Sequence, residues 1–194
     1  MSRWQRMIAL QPVLIMITIG LINIGLDQYQ SANAANFPIA HPVITATEAK
    51  VTAEDFFNRG DLKYEEEDFQ GATMDYGKAI MLKPDYAEAY NNRGNARSEL
   101  GDNEGAIRDY SQAIKIKPDE ASTYCNRGIV KSKSGDKEGA IVDFNQAIKL
   151  KPDCVEAYYS RGLTHYQLGH REEALIDYRK GADLLRVQGE IQKD

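Results

Sequence analysis

The chain has 194 residues, 24 of them Lys or Arg and 29 Asp or Glu, which gives a formal net charge of -5. With 42% hydrophobic and 27% charged residues it has the composition of a soluble globular chain, and wholesale disorder is excluded. The acidic balance speaks against non-specific nucleic-acid binding, and two Cys with three His exclude a disulfide scaffold and a rich zinc site.

The N-terminus differs from the rest. Arg3 and Arg6 lead into a stretch without charge from Met7 to Leu26, which is succeeded by polar residues and by Ala32-Asn33-Ala34. A basic start, an apolar stretch and an A-x-A triplet are the parts of a secretory signal peptide. Residues 1–34 are therefore expected to direct export, with cleavage after Ala34. The alternative is an uncleaved anchor, because residues 7–26 are just long enough for a hydrocarbon core of roughly 30 Å. Both readings keep the arginines on the cytoplasmic side and carry the remainder outward, to a periplasm, a lumen or an extracellular space. Residues 35–52 contain Pro38 and Pro42 and read as a linker.

A repeat occupies most of the chain beyond residue 52. Asn-Arg-Gly stands at 58–60, 92–94 and 126–128, and Ser160-Arg161-Gly162 is the fourth copy. Each lies 34 residues after the last, and Lys-Pro-Asp keeps the same step at 83–85, 117–119 and 151–153. Residues 87–120 and 121–154 are identical at 20 of 34 positions. Four units are thus expected, at 53–86, 87–120, 121–154 and 155–188, with 189–194 as a tail.

Within a unit, Ala106, Ile107, Tyr110, Ala113 and Ile114 recur at three- and four-residue intervals, which is helical. Pro118 stops that helix. Asp85 with Glu88, and Asp153 with Glu156, form a D-x-x-E start signal for the next one. Gly101-Asp102 and Gly135-Asp136 mark the mid-unit turn: a glycine ends one helix and an aspartate caps the other. Gly60, Gly94, Gly128 and Gly162 in the first helices face Ala72, Ala106, Ala140 and Ala174 in the second, and these small residues allow the axes to approach. Tyr76, Tyr110, Phe144 and Tyr178 supply the bulk between them. A pair of such helices cannot bury its apolar face alone, but a stack of pairs can.

These positions resemble the tetratricopeptide repeat (TPR) family, whose pattern of aromatic, glycine, alanine, aromatic, alanine and proline appears as Tyr90, Gly94, Ala106, Tyr110, Ala113 and Pro118, and again as Tyr124, Gly128, Ala140, Phe144, Ala147 and Pro152. The resemblance spans residues 53–188 and implies an all-α, right-handed superhelical solenoid of four helix-turn-helix units. Two departures are specific. Arg59, Arg93, Arg127 and Arg161 stand where the family has a large apolar residue, and Lys63, Arg97, Lys131 and His165 where it has a tyrosine. Because Asp75, Asp109, Asp143 and Asp177 recur in the second helices, each Arg is expected to reach the Asp of its own repeat.

The resemblance also implies that the first helices line a concave groove that binds a peptide or a partner helix. The matching positions are Phe57, Asp61 and Tyr64; Asn91, Asn95 and Ser98; Cys125, Ile129 and Ser132; and Tyr159, Leu163 and Tyr166. That groove is polar and acidic at its front and apolar and aromatic at its back. Glu54, Glu88, Ser122 and Glu156 stand where relatives that grip an acidic chaperone tail need basic residues, so a basic or amphipathic segment is the expected ligand.

No G-x-S-x-G, G-x-x-x-x-G-K or H-E-x-x-H occurs, and no enzyme, metal site or cofactor is expected. His165 and His170 are placed on different helix faces. Cys125 and Cys154 read as two independent small apolar positions, with a disulfide as the alternative. Beyond Tyr178, Leu184, Leu185, Val187 and Ile191 leave no room for a capping helix. The last helix either extends with an apolar strip or pairs with another copy. The function expected is therefore protein binding, as an assembly or scaffold factor. The alternatives are a subunit that self-associates through its last helix and an accessory domain docked on a membrane complex.

Overall fold

A computed structural model describes residues 51–191; the leader or anchor read at 1–34 and most of the linker lie outside them. Eight helices and no strand occur among the described residues. They form four pairs: α1 (Ala53–Glu65) with α2 (Phe69–Leu82), α3 (Ala87–Glu99) with α4 (Asn103–Ile116), α5 (Ala121–Lys133) with α6 (Lys137–Leu150), and α7 (Val155–Gln167) with α8 (Arg171–Ile191). Each helix packs on the one before and the one after it. The first helices of successive pairs, α1, α3, α5 and α7, also touch one another directly. Among the described residues, no helix is long and apolar enough to cross a membrane.

The turns follow the sequence with one correction. Gly101, Gly135 and Gly169 have φ of 79°, 95° and 84°, a left-handed conformation that glycine adopts without cost, and Glu67 takes that role in the first pair at 61°. Asp68, Asp102 and Asp136 then accept from the amides of Gly71, Gly105 and Gly139 and cap α2, α4 and α6. The D-x-x-E starts are not used. The N-caps are Tyr86 and Cys154, neither with a side-chain cap bond. The turn ahead of them is already closed by backbone bonds from Tyr86 to Lys83 and from Cys154 to Lys151. The side-chain cap of this kind belongs to α1, where Thr52 and Asp55 form a reciprocal capping box. Proline follows the C-caps Lys83, Lys117 and Lys151. Arg186 stands in its place in the last unit, so α8 runs on for 21 residues, through the expected repeat boundary.

The expected ion pair forms in all four units. Arg59, Arg93, Arg127 and Arg161 each donate through Nε and Nη2 to the two oxygens of Asp75, Asp109, Asp143 and Asp177, at 2.6–2.7 Å in the first unit and 2.7–2.8 Å in the second. The four aspartates are buried. Lys63, Arg97 and Lys131, one turn after each Arg, bring a second cation to the same carboxylate at 2.7–2.9 Å. The guanidinium also lies over the aromatic ring three residues before it: Phe56 at 4.8 Å, Tyr90 at 5.4 Å, Tyr124 at 5.8 Å and Tyr158 at 5.6 Å. Beside this clamp, a Cβ placed on Gly60, Gly94 or Gly128 would come within 2.6–2.7 Å of the buried ring of Tyr76, Tyr110 or Phe144.

Three outcomes are expected. Arg93→Leu leaves Asp109, which is 4% exposed, with one cation only. Breaking such a pair costs about 2–4 kcal/mol, so Tm in a thermal melt falls by about 5 °C or more. Gly94→Ala gains about 1 kcal/mol of helix propensity and loses about 1–3 kcal/mol by displacing Tyr110, for a net fall in Tm. The hydrogen bond from Arg59, and then the one from Lys63, hold the Asp75 carboxyl well below the usual carboxylate range against the effect of burial. Its contribution to stability is therefore complete above about pH 4, the unfolded value, and is lost as pH falls further. Melts from pH 7 to 2 show this decline, and Asp75→Asn makes it shallower.

Candidate functional site

The first helices form the inner wall of the solenoid, because they touch one another from repeat to repeat. Three adjoining hollows run along that wall. Asp61, Tyr64, Glu65, Asn92 and Asn95 line the first. Tyr64, Asn95, Ser98, Glu99, Asn126, Ile129 and Lys133 line the second. Ile129, Ser132, Lys133, Ser160, Leu163 and Gln167 line the third. Shared residues join each hollow to the next, so one surface runs from Tyr64 on α1 to Gln167 on α7.

The floor of this surface is already bonded. Asp61 accepts from the Tyr76 hydroxyl at 2.7 Å and from the Asn92 amide at 3.0 Å. Asn95 accepts in the same way from Tyr110 at 2.8 Å and from Asn126 at 3.1 Å. The Asn of the Asn-Arg-Gly motif thus reaches back and ties its repeat to the one before. Burial raises the Tyr76 phenol far above its ordinary value, with the Asp61 carboxylate adding to the effect, and burial does the same at Tyr110. At the third junction Ile129 and Ser160 cannot make that bond, and a Ser132–Thr164 hydroxyl pair at 3.0 Å replaces it.

The expected groove residues separate into three groups. Asp61, Tyr64, Asn95, Ser98, Ile129, Ser132 and Leu163 line the surface. At its back, Leu163 is 50% and Tyr166 59% exposed, so the C-terminal part of α8 does not cover them. Phe57 and Asn91 line a further hollow beside the N-terminal ends of the first helices, together with Glu88, Lys117, Glu120 and Ser122, which meets the first hollow at Asn92. Tyr159 is half-buried, its ring 6.0 Å from Tyr178 and against the backbone of Gly181, so it packs within its repeat. Cys125 is a correction: at 1% exposure it belongs to the core with Phe144, Ala147 and Ala157 and does not face the groove. Sequence reasoning missed Glu65, Glu99, Lys133 and Gln167, which stand four residues after Asp61, Asn95, Ile129 and Leu163. That helical interval was the signal that would have found them. The Glu99 carboxylate raises the Tyr64 phenol, after burial, from the neighbouring repeat.

The histidines are a second correction. Helix α7 ends at Gln167, and the Gly169 turn brings the His170 ring back to 5.7 Å from that of His165. The pair therefore shares one side of the turn. His165 Nδ1 has no hydrogen-bond partner among the described residues.

The comparisons agree with this geometry. A TPR repeat model matches residues 60–101, 94–135 and 132–169, and a tetratricopeptide repeat model matches 155–184. A crystal structure of MamA is similar at 25% identity with a TM-score of 0.68, over 71% of this chain and 81% of that one. The TPR domain of Arabidopsis OM64 is similar at 25% identity with a TM-score of 0.59, over 60% of this chain and 96% of the domain. MamA 41-end from Desulfovibrio magneticus RS-1 shares the fold at 19% identity with a TM-score of 0.66, over 70% of this chain and 77% of that one. No curated protein matches the chain. The chain belongs to the tetratricopeptide repeat family.

Proposed function

We propose that this is an exported binding module whose inner groove holds a basic or amphipathic segment of another protein, in the service of assembly or scaffolding. The observation that carries this reading is the uncovered apolar end of the groove, where half-exposed Leu163 lines a hollow with Ile129 and Tyr166 stands exposed three residues further on, following an acidic front with Glu65 and Glu99. A hollow lined by exposed aliphatic side chains is what an anchoring residue of a ligand fills, and an exposed tyrosine close by in the chain offers it a further contact. The carboxylates at the front attract a cationic flank and give it a preferred direction along the groove. Export rests on the basic, apolar and A-x-A order of residues 1–34.

The second reading, self-association through the last helix, is supported by α8. It extends to Ile191, and Leu175, Ile176, Leu185 and Val187 are exposed along it. The first reading places the contact on the first helices and the second on α8.

Fluorescence titration of the full chain with an amphipathic basic helical peptide, and with its charge-reversed counterpart, separates them. The basic peptide is expected to bind at least about tenfold more tightly. Leu163→Ser with Tyr166→Ser is expected to weaken it by about tenfold or more. Tyr159 is left in place because it packs on Tyr178. Equal binding of both peptides, or affinity indifferent to the double variant, removes the groove from the function. Concentration-dependent sedimentation that is abolished by Leu185→Ser and Val187→Ser establishes the second reading.

A further inference from the structure

The 34-residue register makes Phe57 and Tyr86 the equivalents of Cys125 and Cys154. The aromatic pair is a direct contact, its rings stacked with centroids 4.9 Å apart. In both cases the first residue is the fifth of a first helix and the second is the N-cap of the next first helix. Where the first junction places two rings, the third places two thiols. Cys125 lies in the core with Phe144, Ala147 and Ala157, and Cys154, half-buried, packs against that same cluster. Both are free thiols in this structure. Burial raises the Cys125 thiol far above its ordinary value, and the neighbouring Glu156 and Cys154 add to the effect.

We propose that Cys125 and Cys154 form a reversible disulfide that links the first helix of repeat three to the residue capping the first helix of repeat four, in oxidising surroundings. The bond would tie α5 to the start of α7, the two helices that carry Ile129 and Leu163 at the apolar end of the groove. Its effect is to fix that junction where the Asn tie of the other two junctions is missing. The chemistry is thiol–disulfide exchange with a small disulfide such as oxidised glutathione. Cys154, the more accessible sulfur, attacks as thiolate, and one glutathione thiolate leaves. Cys125 then loses its proton and attacks the Cys154 sulfur of the mixed disulfide, which expels the second glutathione thiolate. Two electrons pass to the oxidant, one disulfide is consumed, and one forms.

The test equilibrates the folded full chain in reduced and oxidised glutathione mixtures, followed by alkylation, mass measurement and thermal melting. The expected product is a monomer lighter by two hydrogens, without alkylatable thiol, and with a Tm about 5 °C or more above the reduced form. Cys154→Ala and Cys125→Ala, each checked for helicity by circular dichroism, should keep one alkylatable thiol and lose the shift. Cys154→Ala serves if the core variant fails to fold. Two alkylatable thiols after equilibration, a bond only between chains, or a persistent glutathione adduct overturns the proposal. A bond that leaves Tm unchanged overturns its joining role. Export bears only on whether the cell supplies the oxidant. A bond that closes in vitro and is absent in the cell counts against export and not against the bond.

Discussion

Everything in this solenoid is arranged around a buried carboxylate held by a guanidinium fork. A buried charge without a partner is very costly, and a planar bidentate pair is the geometry that offsets this best. The fork does more than neutralise. In each unit the Arg directly precedes the packing glycine, and the Asp directly precedes the ring that lies on it: Arg59-Gly60 against Asp75-Tyr76, and so on through Arg161-Gly162 against Asp177-Tyr178. Two parallel bonds fix both the height and the rotation of one helix on the other. A slip of one residue would therefore lose the ion pair and also drive a ring into a helix backbone. The aromatic residue three positions earlier holds the guanidinium from above, so the fork is presented in one orientation.

The same arginine also reaches outward. Nη1 of Arg127 bonds Ser111 and that of Arg161 bonds Asn145, each in the second helix of the preceding repeat. The Asn beside it bonds back to Asp61 or Asn95 on the inner side. Asn126-Arg127-Gly128 therefore supplies a tie within its repeat, a tie to the neighbour near the outer helices and a tie to the neighbour at the groove floor. Stacking angle and groove floor are set by the same residues. The fourth copy, Ser160-Arg161-Gly162, keeps the first two ties and gives up the third, so the last junction is where the groove changes from polar to apolar.

Much of this was legible in the sequence because the period repeats it. Arg and Asp recur sixteen positions apart in every unit, and an ion pair follows from recurrence alone. The second cation at Lys63, Arg97 and Lys131 was visible as a departure from the family pattern. Its destination was not, because two donors on one carboxylate is a matter of distances. Cys125 misled for a related reason. At this position Phe57 and Asn91 border a hollow, while the smaller thiol sinks into the core, with Cys154 packed against the same cluster. The histidines misled because a face argument holds only along one continuous helix, and α7 stops at Gln167, between them.

The bonded floor limits how this groove can recognise a ligand. Oδ1 of Asp61 and of Asn95 already accepts two bonds, so the floor offers a ligand the other oxygen of Asp61 and the Asn95 amide, and one turn later Glu65, Glu99, Lys133 and Gln167, with Leu163 and Tyr166. Charged residues at a rim steer and orient more than they bind, whereas desolvation of apolar side chains at a hollow supplies affinity. On the proposed reading the two contributions are therefore separated along the groove, direction at α1 and α3 and grip at α5 and α7. A ligand must span both ends to gain both. That requirement favours an extended or helical segment over a single anchoring side chain, and it makes the geometry of the α5–α7 junction the part of the solenoid on which affinity depends most.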